Sequence, residues 1–185
     1  MAMKRKIWSA LLTAVLAAGL AACDSGQPRS AAQAVRMDVA FSPRGGSLEL
    51  VLSGINSARE SILVAAYSFT SKPLSLALLE AWKRGVKVRV VADEKSNSGR
   101  YTAATFLANQ GIPVRLNAHY AIMHNKFMVI DGKHVETGSF NYSAAAADKN
   151  AENVLVLWDA PNLAARYAAQ WQRLWDEAEP LPAAY

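Results

Sequence analysis

Apolar runs of strand length alternate along this chain with segments of helical period that stop at glycine, and that alternation leaves few architectures open. "SILVAAYSF" (61–69), "VKVRVVAD" (86–93) and "IPVRLNA" (112–118) read as strands. Between them, "KPLSLALLEAWKRG" (72–85) carries proline near its start and glycine just past its end, and "SGRYTAATFLANQG" (98–111) also closes on glycine. A strand over 35–43 and a helix over 47–59 precede them; a short helical piece near "YSAAAADK", a strand over 152–158 and a helix over 161–178 follow. The pattern predicts an α/β fold: a mixed, mostly parallel β-sheet flanked by helices on both faces. A hairpin over 124–139 inserts the antiparallel pair. Trp171 and Trp175, four apart on the last helix, are assigned to core packing.

The 185 residues suit one domain with one core, expected over 35–178, with 179–185 as a tail. The N-terminus reads as a targeting segment. Lys4, Arg5 and Lys6 precede the apolar run Ile7 to Ala22, whose 16 residues are short for a bilayer-spanning helix. Residues 1–22 are therefore expected to be an export signal. The segment ends in "LAAC", which resembles the lipobox of bacterial lipoproteins, in which the cysteine (here Cys23) is lipidated. Asp24 resembles a signal that retains such proteins in the inner membrane. A periplasmic protein, lipid-anchored to the inner membrane, is the expectation, with residues 23–34 as a flexible tether. Cys23 is the only cysteine, which excludes an intrachain disulfide and a cysteine-based zinc site. The formal charge is +5, but without Lys4, Arg5 and Lys6 the chain keeps 17 basic residues against 15 acidic. That balance argues for no particular partner, so any phosphate-bearing substrate must be read from a site.

The stretch "HNKFMVID" (124–131) supplies one. It has the apolar content of a core strand, yet His124 and Lys126 are two apart and so share a face. "DGK" suits a two-residue hairpin loop. With Asp131-Gly132 as the loop, His124 lies opposite Ser139; with Gly132-Lys133, it lies opposite Asn141. Either register gathers His124, Lys126, Ser139 and Asn141 on one face, whereas a three-residue loop would break the parity. Glu152, at the start of a later strand, is a candidate partner for the imidazole. Lysine, serine and asparagine are donors suited to phosphate oxygens, and a neutral histidine is a nucleophile or a base. No cluster of Asp, Glu, His or Cys stands out as a metal cage, so the chemistry is read as metal-free, without a cofactor.

His124-x-Lys126-x4-Asp131, then Gly138-Ser139-x-Asn141 and Glu152, resembles the HKD motif of the phospholipase D superfamily. The chain looks closest to the small exported bacterial Nuc-type endonucleases, which carry one motif each, with similarity from about Val35 to Trp175. The resemblance implies that His124 attacks phosphorus and forms a phosphohistidine, while a second motif's histidine protonates the leaving oxygen. It implies that Lys126 and Asn141 hold the phosphate oxygens and that Ser139 assists. Asp131, at a tight turn, is also a motif position, and a turn-fixing role is its rival reading. The second histidine must come from elsewhere. His134 reads as an exposed loop residue and His119 as a plain loop residue, so the expectation is a homodimer with the active site at its two-fold axis. Lys95, Arg100 and Arg115 read as solvated charges rather than as the rim of a groove. Three functions stand: a nonspecific endonuclease on DNA or RNA; a phospholipase D or cardiolipin-type phosphatidyl hydrolase or transferase, held at its substrate by the lipid anchor; and a non-catalytic phosphate- or DNA-binding module.

Overall fold

The computed structural model describes residues 35–184; the expectations for the export signal, Cys23 and the tether lie outside the described residues. The elements run β1 (Arg36–Ser42), α1 (Ser47–Ser57), β2 (Ser61–Ala66), α2 (Lys72–Lys83), β3 (Lys87–Asp93), α3 (Glu94–Asn97), α4 (Ala103–Asn109), β4 (Val114–Asn117), β5 (Phe127–Ile130), β6 (His134–Gly138), α5 (Ala144–Asp148), β7 (Glu152–Trp158), α6 (Pro161–Asp176) and β8 (Glu179–Pro180). They build one sheet in the order β1-β7-β6-β5-β2-β3-β4-β8.

Local chemistry explains most boundaries. Ser71 caps α2 by accepting from the Leu74 N–H, and Gly85 takes φ 93° just after its end, a conformation cheap only without a Cβ. The helix expected over 98–111 is shorter than expected: α4 starts only at Ala103, capped by Thr102 through the Thr105 N–H, and a separate turn of helix, α3, capped by Asp93 through the Ser96 N–H, precedes the expected range. β2 ends at Ala66, earlier than the apolar run, because Asn97 captures the backbone there. Its side chain accepts from the Phe69 N–H and donates to the carbonyls of Tyr67 and Asp93. The expected tail contributes β8, paired with β4.

The sheet is mixed, as expected, but less parallel. Only β2–β3 and β3–β4 pair in parallel; the other pairs are antiparallel. The reason is that β5, β6 and β7 follow one another by reversal, and the chain's first and last strands close on antiparallel neighbours. Helices α1, α2 and α4 cover one face, over Ile62, Val64, Val88, Val90, Met128 and Val154. Helix α6 covers the other from β4 across to β6, with Ala164, Trp171 and Leu174 against Ala65, Val91, Phe127 and Val135. Trp171 is fully buried and donates to the Val64 carbonyl at 2.8 Å, and Trp175 stacks on it at 4.9 Å, in line with the packing role expected. Helix α6 leaves β1 uncovered. Met37 pairs with Leu157, which pairs with Val135, so Met37, Val39 and Phe41 lie on the α6 face, 63%, 59% and 59% exposed. Among the described residues, no helix is long and apolar enough to cross a membrane.

Candidate active site

Strand direction decides where the polar residues meet. β2, β3, β4 and β6 run one way, and β5 and β7 the other. The exits of the first set and the entrances of the second therefore lie along one sheet edge, where open α/β sheets bind ligands. Tyr67 follows β2, His124 and Lys126 precede β5, Ser139 and Asn141 follow β6, and Glu152 opens β7.

The hairpin differs from both expected registers. Ile130 pairs with His134 and Met128 with Glu136, so the loop has three residues, Asp131 to Lys133. Continued as a ladder, this register would set Lys126 opposite Gly138 and His124 opposite Phe140, with Ser139 on the other face. The ladder stops first: β5 begins at Phe127 and β6 ends at Gly138. The site is thus assembled from strand ends and turns, not by side-chain parity within the hairpin. Glycine at 138 is what permits this. A Cβ there would run into the Asn153 carbonyl oxygen, so only glycine lets β6 and β7 approach so closely. The approach carries Ser139 onto β7: its N–H donates to the Asn153 carbonyl and its Oγ accepts from the Asn153 N–H at 3.1 Å.

The Ser139 hydroxyl donates to Glu152 Oε2 at 2.6 Å, and Asn150 donates to Glu152 Oε1 at 3.0 Å. Both carboxylate oxygens are thereby engaged, and neither meets the His124 ring, which corrects the expected Glu152–imidazole pair within one chain. Glu152 acts instead on Lys126. Burial pulls the Lys126 ammonium below its ordinary range, and the charge of Glu152 partly restores it. Lys126 Nζ donates to the His124 carbonyl at 2.9 Å and lies 5.1 Å from the Tyr67 ring centre. His124 is exposed and packs edge-on against Tyr67 at 4.5 Å, with no hydrogen bond to its ring among the described residues. Asn141 is half-buried, its Oδ1 without a partner among the described residues. A cleft of about 330 Å³ opens beside His124, walled by Tyr120, Asn125, Gln170 and Arg173.

Asp131 departs from the motif reading as a catalytic residue. It sits at the far end of β5, with φ 52°, and its carboxylate accepts from the backbone N–H groups of Arg59, Glu60 and Ser61 at 2.7–3.1 Å. Burial makes the carboxyl a weaker acid, but the three N–H groups outweigh that and hold it below its ordinary 3.8. Its stabilisation is complete above that value and is lost as pH falls through the lowered one. Asp131→Ala is expected to cost roughly 1–3 kcal/mol in urea unfolding, while kcat of the folded enzyme stays within about threefold. A kcat loss without a stability loss would return Asp131 to the chemistry.

The other ionisable groups sort by the same geometry. His134 is buried, not exposed. It begins β6 at the far edge, its Nδ1 accepts from the Asp159 N–H at 2.9 Å, and burial lowers its basicity. His119 is exposed, its ring 4.9 Å from that of Tyr120. Arg115 donates to the carbonyls of Trp175 and Ala178 and so braces α6, and Lys95 donates to the Ala121 carbonyl. The sequence reading passed over Asp93, which is 1% exposed. Its carboxylate accepts from the Met123 N–H at 2.7 Å and holds the segment that delivers His124. An acid closing an apolar strand was the available signal.

Comparisons with known proteins place the fold that holds these residues. Residues 51–175 match the family described as cardiolipin synthase, PLD-like domain. A phospholipase D of Rickettsia bellii is 37% identical over 136 residues, 74% of this chain and 67% of that protein. A mitochondrial cardiolipin hydrolase of Chlamydomonas reinhardtii is 33% identical over 76% of this chain and 63% of its own. Nuc of Salmonella typhimurium, a phospholipase D family member, superposes with a TM-score of 0.79 at 42% identity, over 81% of this chain and 100% of the solved one. With His124, Lys126, Ser139 and Glu152 on one sheet edge and this family covering most of the folded chain, the protein belongs to the phospholipase D superfamily and is a phosphodiesterase of it.

Proposed function

We propose that the protein is a metal-independent, nonspecific endonuclease on DNA or RNA that works as a homodimer through a phosphohistidine at His124. The observation that carries this reading is an exposed imidazole beside a buried ammonium, with no other histidine hydrogen-bonded to it or ring-packed against it among the described residues. His124 attacks phosphorus, forming a P–N bond as the P–O bond to the leaving group breaks. The partner's His124 gives that oxygen its proton. Water then attacks the phosphohistidine, passing a proton back to the same imidazole, and the P–N bond breaks. Lys126 and Asn141 meet the charge on the phosphate oxygens. The resemblance of the single motif to the small Nuc-type endonucleases, together with the match to Nuc along that whole chain, is the support for nuclease.

The surface left bare by α6 supports the dimer. The exposed Met37, Val39 and Phe41 form an apolar stripe, and Phe41 pairs with Asn153, next to Glu152 at the site edge. A second copy seated there would bring its own edge to the first. Val39→Asp is expected to yield a monomer in light scattering, with activity lost at the same time; an active monomer would sink the dimer. Export through residues 1–22 and anchoring at Cys23 belong to the same reading, and the mass of the mature N-terminus tests them.

The lipid reading keeps a specific support in the relatives named phospholipase D and cardiolipin hydrolase. The deciding assay incubates the protein with plasmid DNA and, separately, with phosphatidylcholine and cardiolipin vesicles, each with EDTA, and with His124→Asn as control. DNA cleavage that persists in EDTA and vanishes in the variant is expected. Cleavage of cardiolipin but not DNA would replace nuclease by lipase.

A further inference from the structure

We propose that Glu136 is a positioning residue for this phosphodiesterase, holding the Ser139–Asn141 turn in place through the Tyr142 hydroxyl. Glu136 is 1% exposed in the middle of β6. Its register neighbours are Met128 and Val156, both fully buried. The buried face of α1, which packs over this side of the sheet, is Ser47, Val51, Gly54 and Ile55, without a charge. No cation pairs with Glu136 among the described residues. Its one hydrogen bond comes from the Tyr142 hydroxyl, 2.7 Å from Oε2, and Oε1 is buried without a partner. A methionine would fill this place at lower cost, since a lone buried carboxyl is penalised by lost hydration. A side chain that burdens the fold invites a reason in the site.

Tyr142 supplies it. It is fully buried and follows Asn141 directly. Its carbonyl accepts from the N–H groups of Thr70 and Ser71 at 2.9 and 2.8 Å, and its ring meets Phe69 edge-on at 5.7 Å. Those residues continue from Tyr67, which touches both His124 and Lys126. Tyr142 thus ties the turn carrying Ser139 and Asn141 to the segment on which the histidine and lysine rest. The β6–β7 ladder fixes the turn on its Ser139 side, and on the Asn141 side Glu136 beneath and the Thr70–Ser71 backbone above do so. Without the carboxyl, the Tyr142 hydroxyl would be buried unpaired, and the turn would shift to free it. A small displacement of groups that hold a phosphate is costly to turnover.

The test uses the full chain and the soluble diester bis(p-nitrophenyl) phosphate, so it does not depend on whether nucleic acid or lipid is the larger substrate. Glu136→Met is expected to melt no lower than wild type at pH 8, yet to lose about tenfold or more in kcat with KM within about twofold. Tyr142→Phe should show the same kcat loss, and the double variant should lose no more than either alone. Glu136→Gln, whose amide oxygen still accepts from Tyr142, should restore most of kcat. It should also remove a pH dependence. Burial raises the Glu136 carboxyl to about 7, so its protonated form stabilises the wild type at low pH, and that contribution is lost as pH rises through about 7. Glu136→Met and Tyr142→Phe enzymes with kcat within twofold of wild type would overturn the proposal, as would activity that falls only in step with melting temperature. Should Glu136→Met fail to fold, Tyr142→Phe, which removes one oxygen, decides alone.

Discussion

A dimer in which one subunit carries His124→Asn is expected to lose nearly all turnover, not half of it. If each site needs two imidazoles, one to attack and one to protonate, a mixed dimer has a nucleophile without its acid. Removing a general acid costs roughly 10²–10⁴-fold, so the mixed dimer should fall by that factor, and the doubly substituted dimer further. Two subunits with different affinity tags, co-expressed and purified through both, give the mixed species. Rates on a soluble diester then compare wild type, mixed and doubly substituted dimers. Half the wild-type rate would mean that each His124 works alone and would remove the reason for a shared site. The bareness of the His124 ring motivates the experiment: Glu152, the carboxylate expected beside it, is held by Ser139 and Asn150 instead.

Lys126→Met should lower kcat by about 10²–10³-fold, the usual cost of removing one donor aimed at developing oxyanion charge. The ammonium is nearly out of water and is fixed by the His124 carbonyl, so little reorganisation accompanies the reaction. Lys126→Arg should rescue little, since a planar guanidinium does not fit the space of a compact ammonium under Tyr67. Burial also pulls the lysine below its ordinary 10.5, against the charge of Glu152. Activity depends on the charged form, so it should fall as pH rises through that lowered value. In Glu152→Gln the supporting charge is gone, and the alkaline limb should move to lower pH. A Lys126→Met enzyme within tenfold of wild type would assign the phosphate oxygens to other groups.

The order of strands and helices was legible because it rests on local chemistry. Period-two and period-3.6 patterns, prolines at starts and glycines at ends need no distant partner. The candidate groups were legible for a similar reason: His124, Lys126, Ser139 and Asn141 stand at short, recognisable spacings. The hairpin was not. "DGK" accommodates two- and three-residue loops alike, and the choice depends on Arg59, Glu60 and Ser61, about seventy residues earlier, whose N–H groups capture Asp131. The turn sequence alone does not contain that contact, and the parity read from it was mistaken. His134 was misjudged in the same way, since its burial depends on Trp158 and Asp159 across the sheet.

Composition and spacing thus determined the class of fold and nominated the side chains offered to a phosphodiester. How they come together was settled in three dimensions, by the direction of β5 and β7 against β2 and β6, by the close approach at Gly138, and by polar residues buried far from the motif. Sequence spacing constrains neighbours along the chain; a catalytic edge is made from chain ends that meet across it, and their meeting is fixed by contacts whose partners are remote in number.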